Sequence, residues 1–155
     1  MFYGRGAPDT DAIDLDNVSG AIIRNNRIYD LTGSNSDGID IGENSNDVLI
    51  SSNLIYHSGD KGISIGQGST VTVDRNLIVG CRSGIAVKDN STALIVNNTL
   101  FYNDTTLSCY EKNEGQGGGA ADVVNTIFSS NLSTSVYYDE TSICLLYTSP
   151  SPRDL

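Results

Sequence analysis

Five asparagines punctuate this chain at almost one interval: Asn26, Asn53, Asn76, Asn98 and Asn125, spaced by 27, 23, 22 and 27 residues. Each is followed two positions later by a branched aliphatic, namely Ile28, Ile55, Ile78, Leu100 and Ile127. Four of them share a preceding frame: Ala21-x-Ile23, Val48-x-Ile50, Val71-x-Val73 and Ala93-x-Ile95, with the second aliphatic three residues before the asparagine. A repeat of this length marks a solenoid or an array, in which each unit buries its apolar face only by stacking on the next.

Within each unit the apolar residues alternate with period two, the pattern of a strand with one buried face, and no 3.6-residue period is sustained. A second short strand is expected before each asparagine frame, at 12–15, 38–41, 62–65 and 84–87. If one strand per sheet is wound per coil, equivalent residues superpose about 4.8 Å apart. Ile13, Ile39, Ile63 and Ile85 then form one buried column, and Leu15, Ile41, Ile65 and Val87 another. The asparagines tolerate a left-handed bend and are expected to bond up and down the stack as a ladder. The fifth unit slips: Asp122 falls where an inward aliphatic belongs, with Val123 and Val124 beside it. A one-residue bulge or deletion is expected there.

From about Asp11 to Ser133 the chain resembles the right-handed parallel β-helix repeat superfamily, whose best-known members are pectate-lyase-like. The strings DGIDIG (37–42), GDKGISIGQGS (59–69) and GIAVKD (84–89) also resemble a bacterial subgroup of unsettled biochemical role. The resemblance implies an all-β solenoid of about five or six coils, secreted or surface-exposed in a bacterium and associated with polysaccharide. Two function classes follow from it. One is a carbohydrate-binding or lyase-like domain, the other a non-catalytic structural or surface-display solenoid.

The segment CLLYTSPSPRD (144–154) carries neither the repeat nor a strand pattern. It can be written in codons that resemble, in one frame, a transposase mosaic-end sequencing adapter read as coding sequence. Residues 1–143 are therefore read as a β-helix fragment of a longer native chain, and 144–155 as a non-native, disordered tail. No cap precedes the first coil or follows the last, so open strand edges are expected to favour edge-to-edge self-association.

A net charge of −10 argues against nucleic acid as a partner, since phosphate contact needs clustered Lys and Arg. No stretch approaches the roughly 20 apolar residues of a membrane span, and no signal peptide is present in this fragment. Cys81 and Cys109 fall in different columns and read as buried thiols or, alternatively, as a disulfide. GQGGG (115–119) lacks the Lys-Ser/Thr of a phosphate loop.

Outward residues line up in columns on the first strand: Asp14, Asp40, Ser64 and Ala86; Asp11, Asp37, Lys61 and Ser83; Asp16, Gly42, Gly66 and Lys88. This face runs from acidic to basic. Carboxylates stacked about 4.8 Å apart repel, so Asp11, Asp14, Asp37 and Asp40 are either a Ca²⁺ site or a solvated acidic face. Pectate-lyase-like chemistry implies Ca²⁺ on a uronate carboxylate and a Lys or Arg base. Lys61 and Lys88 are the candidates for that base, with Arg82 stabilising the anion. A base needs a depressed pKa, whereas Asp60 and Asp89 adjoin these lysines and would raise it. The motifs of a polygalacturonase-type hydrolase are missing, although Asp14 and Asp40 could approach the spacing of paired acids. His57 and Tyr56 are candidate substrate contacts. Tyr29, Tyr56, Val79, Phe101 and Phe128 form a corner column suited either to sugar stacking or to internal packing. The extended turns lie at 31–37 and 111–119, in different coils.

Overall fold

A computed structural model describes residues 2–3 and 8–147. Its strands run β1 (Phe2–Tyr3), β2 (Ile13–Asp16), β3 (Ile22–Arg24), β4 (Arg27–Leu31), β5 (Ile39–Gly42) and β6 (Val48–Ser51). Next come β7 (Leu54–Ser58), β8 (Lys61–Ile65), β9 (Thr70–Asp74), β10 (Leu77–Val79), β11 (Ser83–Lys88) and β12 (Thr92–Val96). The last are β13 (Thr99–Phe101), β14 (Thr105–Tyr110), β15 (Ala120–Val124), β16 (Ile127–Ser129), β17 (Thr134–Tyr138) and β18 (Ile143–Tyr147). There is no helix among the described residues.

Successive strands pass to successive sheets, so every pairing joins a strand to its equivalent one coil away, in parallel. The first sheet is β2-β5-β8-β11-β14-β17, the second β3-β6-β9-β12-β15-β18 and the third β1-β4-β7-β10-β13-β16. Ile13 pairs with Ile39, Ile39 with Ile63 and Ile63 with Ile85, and the column from Leu15 to Val87 is likewise in register. Leu107 and Cys109 extend the two columns. The second sheet contributes Ile23, Ile50, Val73 and Ile95, the third Ile28, Ile55, Ile78 and Leu100, and all eight are buried. Burial of each large side chain stabilises by roughly 1.5–3 kcal/mol.

The corner between the second and third sheets is held by the asparagines. Asn53 Oδ1 accepts the Asn26 backbone N–H (3.0 Å) and side-chain amide (3.1 Å). Asn76 Oδ1 serves Asn53 in the same way, and Asn98 Oδ1 serves Asn76. The Asn53, Asn76 and Asn98 amides also donate to the Ile23, Ile50 and Val73 carbonyls of the preceding coil. A second ladder stands at the corner between the first and second sheets, where Ser45, Ser69 and Ser91 hydroxyls accept the N–H of Val18, Ser45 and Ser69. The sequence reading missed it, because serine is common in this chain and its spacing gave no separate signal.

The fifth rung differs from expectation. It is Thr126, whose Oγ1 accepts the Asn98 N–H at 3.3 Å. Asn125 lies one place earlier, with φ of 47°, and its side-chain amide donates to Asn97 Oδ1. No bulge intervenes: Ala93, Leu94 and Ile95 pair with Ala121, Asp122 and Val123. With Asn125 on the ladder, Asp122 would face the core, and burying an unpaired carboxylate costs more than replacing asparagine by threonine. Consequently Phe128 occupies the Leu100 column, and Ser129 closes the aromatic column in its place.

Residues 144–147, expected to belong to a disordered tail, form the greater part of β18 and pair with 121–124 of β15. Pairing with β18 satisfies N–H and C=O groups of β15 that would otherwise form an open sheet edge. Residues 148–155 of that expected tail lie outside the described residues. Cys81 and Cys109 are buried free thiols.

The corrected register predicts unequal asparagine substitutions. Asn76→Ala strips acceptors from the buried Asn53 N–H and amide and should cost about 2–4 kcal/mol in chemical denaturation. Asn125→Gly, off the ladder and compatible with its left-handed backbone, should stay within roughly 0.5 kcal/mol.

Candidate functional site

The outer face of the first sheet gathers most of the residues singled out above. Across β8, β11 and β14 the residues Ser64, Ala86 and Ser108, expected to face outward, are in register but buried, and Tyr137 of β17 follows Ser108. Lys88 is in register with Tyr110 of the next coil. Beside them, at the corner with the third sheet, a groove of about 390 Å³ is lined by Lys61, Arg82, Lys112, Tyr110, Tyr137 and Asp60, with Ser and Thr hydroxyls between.

The two candidate bases have opposite surroundings. Lys61 Nζ contacts the Asp60 carboxylate directly and lies 3.5 Å from Asp37 Oδ1. Burial opposes its charge, but the two aspartates outweigh burial and hold Lys61 above the ordinary lysine range. Lys88 was expected to pair with Asp89, and it does not. Asp89 turns to the 111–119 loop instead, where its carboxylate accepts the N–H groups of Lys112 (2.7 Å) and Asn113 (2.8 Å) and the Asn113 side-chain amide (2.6 Å). Lys88 lies over Gly66, where a Cβ would come within 3.2 Å of its Cε, and donates to Ser64 Oγ at 2.7 Å. Burial pulls Lys88 below the ordinary lysine range, with Asp40 opposing. Its side chain is buried and does not line the groove.

Arg82 is exposed at the rim, 3.9 Å from Asp60. His57 and Tyr56 are not brought into the groove. His57 Nδ1 sits 3.2 Å from Asp30 Oδ1. The Tyr56 ring stacks on Tyr29 with centroids 5.1 Å apart, and the Arg27 guanidinium lies 5.5 Å from its centroid. This column packs on itself. Tyr110 and Tyr137, whose rings meet edge to face at 6.4 Å, are the aromatic residues of the groove. The sequence reading overlooked them and Lys112, although Tyr110 stands one coil after Lys88.

The acidic columns have a structural reason. Asp11 Oδ1 accepts the Asp37 N–H at 2.6 Å, and Asp37 Oδ1 accepts the Lys61 N–H at 2.8 Å. Each carboxylate thus caps the next coil. Among the described residues no three His, Cys, Asp or Glu side chains converge to hold a metal, and one oxygen of Asp11 and one of Asp37 are committed to these backbone N–H groups. Burial raises Asp11 and Asp14, and lifts Asp37 to about 6 against the pull of Lys61.

Three-stranded coils stacked in register around one apolar spine define a parallel β-helix protein. A family model described as a right-handed beta helix region matches residues 11–146, and the chain belongs to that family. Comparison with curated proteins and with solved structures gave no match.

Because Asp37 titrates higher in the fold than its ordinary value of 3.8, folding favours its protonated form. That contribution is fully present below pH 3.8 and is lost as pH rises through about 6. Asp37→Asn should flatten the dependence of stability on pH across this window, by roughly 3 kcal/mol, as read by denaturation at successive pH values. If Asp11, Asp14, Asp37 and Asp40 hold Ca²⁺, millimolar Ca²⁺ should raise the melting temperature and Mg²⁺ should not.

Proposed function

We propose that this chain is a polysaccharide-binding β-helix domain whose groove on the first sheet holds an acidic, uronate-bearing chain. The observation that carries this reading is the distribution of positive charge. In a protein of net charge −10, three of the nine Lys and Arg residues, Lys61, Arg82 and Lys112, line a single groove on one face. Lys61, buried and held by Asp60 and Asp37, stays charged and is unsuited to proton abstraction, so Arg82 and Lys112 are the exposed cations that meet a carboxylate. Tyr110 and Tyr137 offer apolar ring surface, and Ser83, Thr105, Ser108 and Thr134 offer hydroxyls to a sugar. Such polymers lie outside cells, so we place the domain at the cell surface or beyond it, in keeping with the family resemblance.

A lyase reading has one observation in its favour, the depressed pKa of Lys88. A base must also reach the proton it removes, and the Lys88 ammonium is held against Ser64 beneath the surface. Binding without elimination is the better account of this geometry.

Polygalacturonate should bind with an affinity that falls as salt rises, because exposed charges are screened. Arg82→Ala with Lys112→Ala should weaken it about tenfold, or about 1.4 kcal/mol, as measured by calorimetry. No ultraviolet absorbance from unsaturated uronates should develop. Equal binding by the double variant would remove the groove from the function, and a rising absorbance lost in Lys88→Met would establish the lyase.

A further inference from the structure

A concavity larger than the cationic groove lies elsewhere. At the corner between the first and second sheets a groove of about 640 Å³ runs along the stack and crosses successive coils. Its wall is built from turn residues: Asn17, then Asn44 with Glu43, then Gln67, then Asn90 with Asp89. The 111–119 loop overhangs its far end with Asn113 and Gln116. The volume falls in the range of small-ligand sites, but the lining is polar where such sites are mostly apolar.

The backbone of this wall is already satisfied. Asn44 N–H donates to the Gln67 carbonyl (2.8 Å), Gly68 N–H to the Asp89 carbonyl (2.8 Å) and Asn90 N–H to the Gly118 carbonyl (2.9 Å). The loop is fixed by Asp89 and by Glu111, whose Oε1 accepts the Gly117 N–H at 2.8 Å. The side-chain amides of Asn17, Asn44, Asn90 and Gln116, in contrast, make no hydrogen bond within the described residues. Glu43 and Gln67 sit at φ of 51° and 55°, a backbone that favours Gly, Asn or Asp, and Gln67 Oε1 accepts the Glu43 N–H at 3.2 Å. Long polar side chains are therefore carried there against local preference.

We propose that this groove is a second ligand site, for a neutral, hydroxyl-rich oligosaccharide lying along the stack. A primary amide offers a donor pair and an acceptor on one plane, a set that matches neighbouring sugar hydroxyls. Repetition of the coils about every 4.8 Å presents such groups again and again to an extended chain. No Lys or Arg lines the groove, and Glu43 and Asp89 repel a polyanion. The ligand class thus differs from that of the cationic groove, and the inference holds whether or not that groove binds an acidic polymer.

The test uses xylohexaose, cellohexaose and mannohexaose as probes, with trigalacturonate as the anionic comparison, followed by calorimetry and by saturation-transfer NMR. At least one neutral hexaose should bind. Asn44→Gly with Asn90→Gly, which keep the left-handed turns, and separately Gln116→Ala, should each weaken it at least threefold and leave melting temperature and trigalacturonate binding unchanged. Arg82→Ala should leave hexaose binding unchanged. Failure of all three hexaoses to bind overturns the proposal. So does hexaose binding that is lost in Arg82→Ala and kept in the amide variants, because the sugar would then sit in the other groove.

Discussion

Coil-to-coil registry rests on buried side chains that hydrogen-bond to the backbone of the neighbouring coil at each corner. Between strands the sheet ladders satisfy the backbone, but at a bend the chain leaves the ladder and its N–H groups need other acceptors. Asn53, Asn76 and Asn98 supply them at one corner, and Ser45, Ser69 and Ser91 at another. Because each acceptor belongs to the adjacent coil, a slip of one residue would break the corner bonds and turn apolar side chains outward at the same time. Local hydrogen bonding and core burial therefore enforce one register.

The same device resolves the electrostatic difficulty of this chain. Aspartates stacked one above another would repel, yet Asp11 and Asp37 each accept a backbone N–H from the next coil, and Lys61 sits beyond them. Asp89 repeats the pattern at a different corner, where it fixes the 111–119 loop. Using Asp89 as a latch is what leaves Lys88 without an adjacent acid and lets burial lower its pKa. A structural requirement in one coil thus sets the protonation behaviour of a lysine in the strand before it.

That loop also organises the surface. Lys112 lines the cationic groove on the first sheet, while Asn113 and Gln116 line the amide groove at the corner beyond. One insertion thus walls two concavities of different chemistry. Polar functional surface on a solenoid is readily built this way, because the stacked coils supply rigid columns and a loop supplies depth.

The asparagine interval and the period-two alternation were enough to determine the coil, two of its three sheets and the buried columns from Ile13 to Ile85 and from Leu15 to Val87, because every coil must bury the same positions. Sequence also located the charged face through Lys61, Arg82 and Lys88. The fifth rung was not legible: Asn125 and Thr126 both suit a corner, and only the cost of turning Asp122 inward chooses between them. Nor could adjacency in sequence say that Asp60 would hold Lys61 while Asp89 would abandon Lys88, or that Tyr110 and Tyr137 would meet over the groove. Those outcomes depend on which way side chains leave neighbouring coils, and the direction is set by the folded backbone and by competition among its unsatisfied N–H groups.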